Sequence, residues 1–344
     1  MKKWKFVAMA LSLSLLFTAC SSSDDDDKNT SSTNSNGVVE DVVSDIGDGT
    51  NDVLSDVNDV VSDVISGTED VVSDITHGDD DKTDSDLNSG DTTSKTAALP
   101  AAGSLENVSV NEAELQALDN ASHGWGQGKD VDDANRPTSC LTFQEQYGRY
   151  AAQFIGDEQK EVYLTFDEGY ENGYTAQILD VLKEKECPAV FFVTMPYVKE
   201  NPDLIQRMID EGHVVGNHTV NHPSMPSVSL EQAKQEIAGL HDYVSENFHY
   251  QMTLFRPPRG EWSERTLALT QKLGYDTIFW SFAYQDWEVD AQPDKAMALE
   301  KTVSSVHDGA IYLLHAVSST NTAILGDFID QVRAKGYTFA TLQA

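Results

Sequence analysis

The sequence predicts an α/β fold, a distorted (β/α) barrel of about seven parallel strands, preceded by a disordered acidic tether. Three observations predict it. From residue 161 onward, seven short apolar runs typical of strands alternate with six helical patterns. Such alternation is the pattern of a parallel sheet, and units repeated so regularly favour a barrel over an open sheet. Polar residues also stand where several strands end, which is where such barrels build their active sites.

The predicted strands are runs rich in β-branched and aromatic residues. They lie at 162–167, 189–194, 213–218, 253–258, 277–281, 310–315 and 337–342. The predicted helices lie at 174–185, 202–211, 229–246, 263–273, 293–306 and 321–335. Ser229 and Gln232 have the spacing of a capping box, and Gly212, Gly274 and Gly336 follow helix ends. The signals at the helix ends therefore agree with the apolar periodicity.

The first 20 residues, MKKWKFVAMALSLSLLFTAC, combine a basic start, a short apolar stretch and a small residue before Cys20. The apolar run is short for a membrane span and is typical of an export signal. Because LFTAC resembles a bacterial lipobox, Cys20 is predicted to be the lipidated first residue of the mature protein. An ordinary cleaved signal is the alternative. We expect an extracytoplasmic protein, lipid-anchored to the bacterial cell membrane.

Residues 21–103 form a low-complexity acidic segment with 21 Asp and Glu against three Lys. Four copies of a DVVSDI-like motif start at 41, 52, 59 and 70, offsets that return a helix to the same face. Val and Asp form helices poorly and glycines interrupt the run, so we predict a solvated tether. We expect residues 104–160 to be a lead-in segment and 161–344 to be the catalytic domain.

Charge and cysteine content narrow the classes of function further. The chain has a net charge of −34, and neither the tether nor the remainder is basic, which makes nucleic acid an improbable partner. Beyond Cys20, only Cys140 and Cys187 carry thiols. Cys187 adjoins a predicted strand and is expected to be a small core residue, and a Cys140–Cys187 disulfide is left open.

Four polar residues stand at the ends of independent predicted strands, namely Asp167, His218, Arg256 and His315. The carboxyl ends of the strands of a parallel barrel meet at one rim, so these side chains are expected to converge there. Arg256 could pair with a rim carboxylate and hold it ionised. By itself His315 is typical of a buried core histidine, whereas beside a metal it would be a candidate general acid.

The segment NHTVNH places His218 and His222 four residues apart. In a helix this spacing would put both imidazoles within reach of one ion, although such a pair alone is more often surface than ligand. A carboxylate from another strand end would complete a two-His-one-carboxylate site with open positions. Farther along, Asp286 could orient a histidine and Trp287 could form a pocket wall.

Five motifs, in the order TFDEG, HTVNH, RPPRG, DW and LLH, resemble those of the NodB-type polysaccharide deacetylases of carbohydrate esterase family 4. The resemblance covers about 161–342. The longer strings TFDEGYENGY, EGHVVGNH and GAIYLLHAVS look like the delta-lactam-biosynthetic subgroup, which removes acetyl groups from N-acetylmuramic acid in peptidoglycan. SHGWGQG at 122–128 is similar to a segment that precedes the barrel in that subgroup.

The resemblance implies acid–base roles for four residues. Asp167 would be the general base that removes a proton from water, and Arg256 would keep it charged. His315 would protonate the departing amine, and Asp286 would tune His315.

The resemblance also implies a divalent metal, with zinc expected, held by Glu168, His218 and His222. The general family has Asp where Glu168 stands, and the subgroup often has Asn. The longer Glu side chain moves the carboxylate by one methylene, which leaves the affinity for metal and the choice of metal open.

The substrate pocket follows from the same resemblance. The backbone N–H of Arg259 would donate to the oxyanion, and Trp287 and Leu313 would line the pocket for the acetyl methyl group. Arg259 replaces the tyrosine of the general family, as in the subgroup. Ala283 replaces the first acid of the family's DxxDW string, so any role of that acid is lost.

Together these observations predict metal-dependent hydrolysis of N-acetyl groups of peptidoglycan, on N-acetylmuramic acid, by a monomeric catalytic domain that releases acetate. One alternative is a deacetylase of N-acetylglucosamine in peptidoglycan or a chitin-like polymer. A second is a non-catalytic binder of cell-wall glycan, which the presence of both a base and an acid disfavours. A third is an acidic scaffold whose tether binds cations, which would explain the tether but not the rim.

Overall fold

The computed structural model of the protein describes residues 104–342. The predicted signal peptide with Cys20 and the predicted acidic tether lie outside the described residues. Across 104–342, no helix combines the length and the apolar character that crossing a membrane requires.

The dominant element is a curled sheet in which every strand pairing is parallel. The strands of the described residues, of which β1 and β7 form a separate pair outside this sheet, are β1 His123–Gly124, β2 Ala152–Gln153, β3 Glu161–Glu168, β4 Val190–Val193, β5 Val214–Asn217, β6 Leu254–Phe255, β7 Glu261–Trp262, β8 Asp276–Ile278, β9 Ala310–His315 and β10 Thr338–Ala340. The sheet runs β10-β3-β4-β5-β6-β8-β2, and β9 pairs with β3. A bridge between Phe282 and Tyr312 joins the segment after β8 to β9, so the sheet curls into a barrel-like shape. The predicted barrel class is confirmed.

Helices fill the connections between the strands. They are α1 Glu112–Gln116, α2 Thr138–Tyr147, α3 Thr175–Glu184, α4 Met195–Glu200, α5 Pro202–Asp210, α6 Leu230–Phe248, α7 Glu264–Lys272, α8 Lys295–Ser304 and α9 Ser319–Ala334. All six predicted helices are present. Ser229 and Gln232 form the expected capping box at the start of α6. The short helix α4 was not predicted, because its 6 residues are too few to give a periodic apolar signal.

Alternation along the strands divides the core in two. Successive side chains of a strand point to opposite faces. On β3, Tyr163 packs inside the barrel with Phe192 and Leu313. Leu164 and Phe166 instead pack in the layer between the sheet and the helices. This alternation decides where the two carboxylates at the end of β3 point.

The lead-in segment is built into the barrel rather than simply preceding it. Strand β2 pairs in parallel with β8, and β1 pairs antiparallel with β7. The sheet therefore takes one strand beyond the seven predicted. Cys140 packs inside the barrel and Cys187 lies in the outer layer. Both thiols are buried and free, so the disulfide left open by the sequence is not formed.

Candidate active site

A cavity of about 640 Å³ opens at the carboxyl ends of the strands. Seven of the residues predicted from the sequence line it, namely Asp167, His218, His222, Arg259, Trp287, Leu313 and His315. Six further residues complete the lining, namely Trp125, Gly169, Tyr170, Gly260, Trp280 and Val317. The strand ends predicted to converge do converge, and the cavity walls between them are aromatic.

Asp167 and Arg256 form a buried ion pair at the base of this cavity. Arg256 Nη1 donates to Asp167 Oδ1 at 2.8 Å and to Thr165 Oγ1 at 2.7 Å. Its other guanidinium nitrogens donate to the carbonyls of Ile278 and Phe279, both at 3.0 Å. Burial would raise the pKa of the Asp167 carboxyl, but the charge of Arg256 outweighs it and the pKa lies below its usual value. Asp167 is therefore ionised at neutral pH.

The two histidines of NHTVNH come together through a turn, not through the helix that their spacing allowed. Their ring centroids are 4.8 Å apart and their Nε2 atoms 3.2 Å apart. Thr219 and His222 adopt left-handed backbone conformations, with φ of 74° and 54°. The Asn217 side chain accepts from Thr219 N at 2.9 Å, and Thr219 Oγ1 accepts from His222 N at 2.9 Å. Strained backbone of this kind persists where surrounding bonds enforce it, and it is common at functional sites.

The chemistry of this histidine pair suits a metal ligand. His218 Nδ1 lies 2.8 Å from the Arg256 carbonyl, which requires Nδ1–H and leaves the Nε2 lone pair free. Burial lowers the pKa of His218 to about 4 and also lowers the pKa of His222, so both rings are neutral at pH 7. Neutral imidazole is the form that binds metal. The nearest carboxylate oxygen is Asp167 Oδ2, 3.6 Å from His218 Nε2.

Glu168 does not join the histidines, contrary to the expectation from the resemblance. It follows Phe166 on the helix-facing side of β3, one residue after Asp167, which points into the barrel. Its side chain is fully buried, and neither carboxylate oxygen has a hydrogen-bond partner. Burial, with the nearby charges of Glu171 and Asp167, raises the pKa of Glu168 well above its usual value. In the described part of the chain, no group of three or more His, Cys, Asp or Glu is arranged to hold a metal.

His315 and Asp286 form a second hydrogen-bonded pair at the cavity, and His315 on β9 lies beside Asp167 on β3. Asp286 Oδ1 lies 2.7 Å from His315 Nδ1, and Oδ2 accepts from the His315 backbone N–H at 2.9 Å. Burial would lower the pKa of His315, but the bond and charge of Asp286 outweigh it and raise the pKa. With Nδ1–H directed at Asp286, Nε2 faces the cavity.

The turn PPRG supplies the wall beside the histidine pair. Arg259 has a left-handed backbone with φ of 60°, and its side chain is exposed. Gly260 is also left-handed, and a Cβ there would come within 2.7 Å of the Trp280 ring. Glycine is therefore required at 260 on both grounds. Across the cavity, the Trp287 ring lies 5.7 Å from that of His315.

Comparisons with known proteins show the family of the chain. A profile of the family described as Polysaccharide deacetylase matches residues 155–278. The peptidoglycan-N-acetylmuramic acid deacetylase PdaA of Bacillus subtilis is 40% identical over 232 residues, which cover 67% of this chain and 88% of that protein. The chain belongs to the polysaccharide deacetylase family.

Two further similarities to other deacetylases bear on fold and substrate. The solved structure of Bacillus subtilis PdaA, described as a family 4 carbohydrate esterase, superposes with a TM-score of 0.62 and 40% identity, covering 65% of this chain and 96% of that one. The peptidoglycan-N-acetylglucosamine deacetylase of Bacillus cereus is 31% identical over 196 residues, 56% of this chain and 91% of that protein.

The lead-in segment contributes a part of the deacetylase pocket that sequence reasoning missed. Trp125 lines the cavity, its backbone N–H donates to the Gly260 carbonyl at 2.9 Å, and its indole donates to the Trp280 carbonyl at 2.9 Å. Gln127 is bonded to the Trp280 indole and to the Ala283 carbonyl. The string SHGWGQG was the available signal, since it places an aromatic and an amide between glycines.

Proposed function

We propose that the protein is a peptidoglycan de-N-acetylase that hydrolyses the acetamido group of N-acetylmuramic acid and releases acetate. The observation that carries the proposal is that an ionised Asp167, a hydrogen-bonded His315 and a neutral histidine pair line one cavity, with Asp167 and His315 side by side on the adjacent strands β3 and β9. Such a site holds a base and an acid separately, which amide hydrolysis requires.

Asp167 begins the reaction as the general base. Its Oδ1 is bound by Arg256, while Oδ2 lies on the side of the histidines. Oδ2 can therefore take a proton from a water molecule whose oxygen attacks the acetyl carbonyl carbon. The buried guanidinium keeps the carboxylate ionised between turnovers.

His218 and His222 would hold a divalent metal, and zinc suits two neutral imidazoles. When bound, such an ion acidifies water and polarises the acetyl carbonyl. Two observations support this assignment. His218 Nδ1 is occupied by its hydrogen bond to the Arg256 carbonyl, and the Nε2 atoms of the two histidines lie 3.2 Å apart. Because Glu168 points to the other face of the sheet, the two histidines are the protein donors that we assign, and Asp167 is the nearest carboxylate.

His315 completes the reaction as the general acid. The attack leaves a tetrahedral carbon whose oxyanion we assign to the backbone N–H of Arg259, at the turn beside the cavity. His315 Nε2 then protonates the amine nitrogen as the carbon–nitrogen bond breaks, giving acetate and the free amino sugar. Asp286 raises the pKa of His315, which favours the imidazolium form that can donate this proton. Trp287 and Leu313 enclose the acetyl methyl group.

The preference for muramic acid is supported by the side chain of Arg259. Muramic acid differs from glucosamine by a lactyl ether that carries a carboxyl group. The exposed Arg259 guanidinium lines the cavity and is suited to bind a carboxylate. The similarity to a muramic acid deacetylase, at 40% identity, points the same way.

The cellular setting belongs to the same proposal. Lipidation of Cys20 would anchor the protein to the bacterial membrane outside the cytoplasm, and residues 21–103 would tether a monomeric catalytic domain to it. The basic and apolar start of the chain and its LFTAC ending support this setting. Peptidoglycan strands would then lie within reach of the tethered domain.

The experiment that tests the proposal is mass analysis of digested peptidoglycan after treatment with the purified protein. We expect muramic acid residues that have lost one acetyl group, together with free acetate in equal amount. Loss of acetyl groups from glucosamine alone would favour the second candidate, an N-acetylglucosamine deacetylase, which the similarity to the Bacillus cereus enzyme supports. Glycan binding without acetate release would instead identify a non-catalytic wall binder.

A further inference from the structure

Behind the residues that face substrate, a network of buried hydrogen bonds encloses Asp286. Its carboxylate is almost completely buried. Oδ2 accepts not only from the His315 backbone but also from Asn321 Nδ2 at 2.5 Å. Both oxygens of the carboxylate are thus bound by donors. A buried carboxylate held in this way has one orientation, because rotating it would break several bonds at once.

The amide of Asn321 also has a single orientation. Its Nδ2 faces two acceptors, Asp286 Oδ2 and the His315 carbonyl, the latter at 3.3 Å. Its Oδ1 accepts from the Tyr284 hydroxyl. A flipped amide would place its oxygen against the carboxylate and its NH₂ against the hydroxyl. The carboxylate and the carbonyl can only accept, so they fix the amide orientation, and the Tyr284 hydroxyl holds the oxygen that remains.

The backbone around this network is fastened as well. Asn321 N donates to Ser318 Oγ at 3.0 Å at the start of α9. Ser318 Oγ donates to Gln292 Oε1 at 2.6 Å, and Gln292 Nε2 donates to the Asp286 carbonyl at 2.7 Å. The loop that carries Asp286 is therefore tied to the helix that carries Asn321. The arrangement resists displacement of either partner.

We propose that Asn321 and Tyr284 are positioning residues for the general acid. They hold Asp286 in the orientation that fixes His315 with Nδ1–H toward Asp286 and Nε2 toward the leaving nitrogen. This inference rests on the proposed function, since it assigns the network to protonation of the departing amine. Neither residue lines the catalytic cavity, so their influence on the reaction passes through Asp286 and His315.

The test compares two leaving groups on the purified protein. An amine must be protonated as it leaves. Hydrolysis of 4-nitrophenyl acetate instead releases 4-nitrophenolate, which is a stable anion and needs no general acid. Asn321→Leu should therefore lower kcat for acetate release from muramyl glycan at least about tenfold, because general acid catalysis is commonly worth 10²–10⁴-fold. Hydrolysis of 4-nitrophenyl acetate should change less than about twofold. Tyr284→Phe should show the same selectivity with a smaller loss.

The matched control is Asn201→Leu, because the Asn201 amide donates to the Tyr197 carbonyl between α4 and α5, away from Asp286. It should leave both rates unchanged. Equal losses on both substrates in Tyr284→Phe, or no loss on glycan in either variant, would overturn the inference. Tyr284→Phe removes only a hydroxyl, so it keeps the test valid if Asn321→Leu folds poorly. Wild-type protein that cleaves the ester but releases no acetate from glycan would overturn the proposed function, and this inference with it.

Discussion

The two faces at the end of β3 carry adjacent carboxylates whose pKa values are shifted in opposite directions. Asp167 points into the barrel, where the Arg256 guanidinium outweighs burial and lowers its pKa. Glu168 points toward the helices, where no hydrogen-bond partner meets its oxygens and its pKa is raised well above the usual value. Asp167 and Glu168 are neighbours in the sequence, so the difference between their pKa shifts comes from the face of the strand on which each side chain lies.

This comparison shows that the role of a carboxyl group here depends on the groups that surround it on its face of the sheet. The barrel interior offers Asp167 a guanidinium, a neutral imidazole and access to the cavity. On the helix-facing side, where Phe166 packs into the outer layer of the core, the charges near Glu168 are those of Glu171 and Asp167, and both are negative. Burial without a counter-charge favours the neutral form of an acid, because the ionised form loses its solvation.

The largest expected effect is on turnover. Asp167→Asn should reduce acetate release from muramyl glycan by about 10²–10⁴-fold, the usual contribution of a general base. Glu168→Gln should change it by less than about threefold, because the amide is close in size and shape to the neutral acid. Acetate release and glycan binding are measured for both variants. Comparable losses in the two would show that Glu168 also takes part in the reaction.

The next effect concerns stability. Arg256→Met should lower the free energy of unfolding by about 3–5 kcal/mol, because it leaves the buried Asp167 charge without its partner. Arg207→Met is the control, since Arg207 pairs with Asp180 and Glu211 nearer the surface and such pairs contribute about 0–1 kcal/mol. Denaturant unfolding measures both. Similar losses in the two variants would contradict the role assigned to the buried pair.

Much of the fold and part of the site could be predicted from the sequence. Apolar runs and helix-end signals indicated all seven predicted strands and six predicted helices, and the capping box at Ser229 before α6 is an example. The convergence of Asp167, His218, Arg256 and His315 followed from a general property of parallel barrels. Strand β2, two residues in the lead-in segment, was not predicted.

The differences between the expected and the observed site have physical causes. Glu168 was expected beside the histidines because motif similarity assigns residues by order, whereas alternation of a strand that continues through Glu168 sends it to the opposite face. Trp125 reaches the cavity through long-range bonds to Gly260 and Trp280, which local sequence does not encode. Asn321 lies 35 residues from Asp286 and gave no motif of its own.

The difference between the two faces of β3 also predicts that His222, and not Glu168, holds the metal. His222→Ala should weaken zinc binding at least about tenfold, because even residues that only support a ligand typically contribute 10–100-fold. Glu168→Gln should leave zinc affinity unchanged. Direct titration of zinc into each metal-free protein distinguishes the two outcomes without a measurement of activity. Equal weakening in both variants would show that Glu168 turns to the histidine side when metal binds.

The smallest expected effect is the pH dependence of stability, and it tests the helix-facing side of β3 by itself. Because the folded pKa of Glu168 is raised above the unfolded value near 4.5, its stabilising contribution is complete below that value and is lost as pH rises through the folded pKa. Glu168→Gln cannot ionise, so its free energy of unfolding should match wild type near pH 4 and exceed it progressively at higher pH. Denaturant unfolding at pH 4, 6 and 8 measures the difference, with the exposed Glu184→Gln on α3 as control. If wild type instead gained stability over the variant as pH rose, the folded protein would hold Glu168 ionised, and the two faces of β3 would be alike after all.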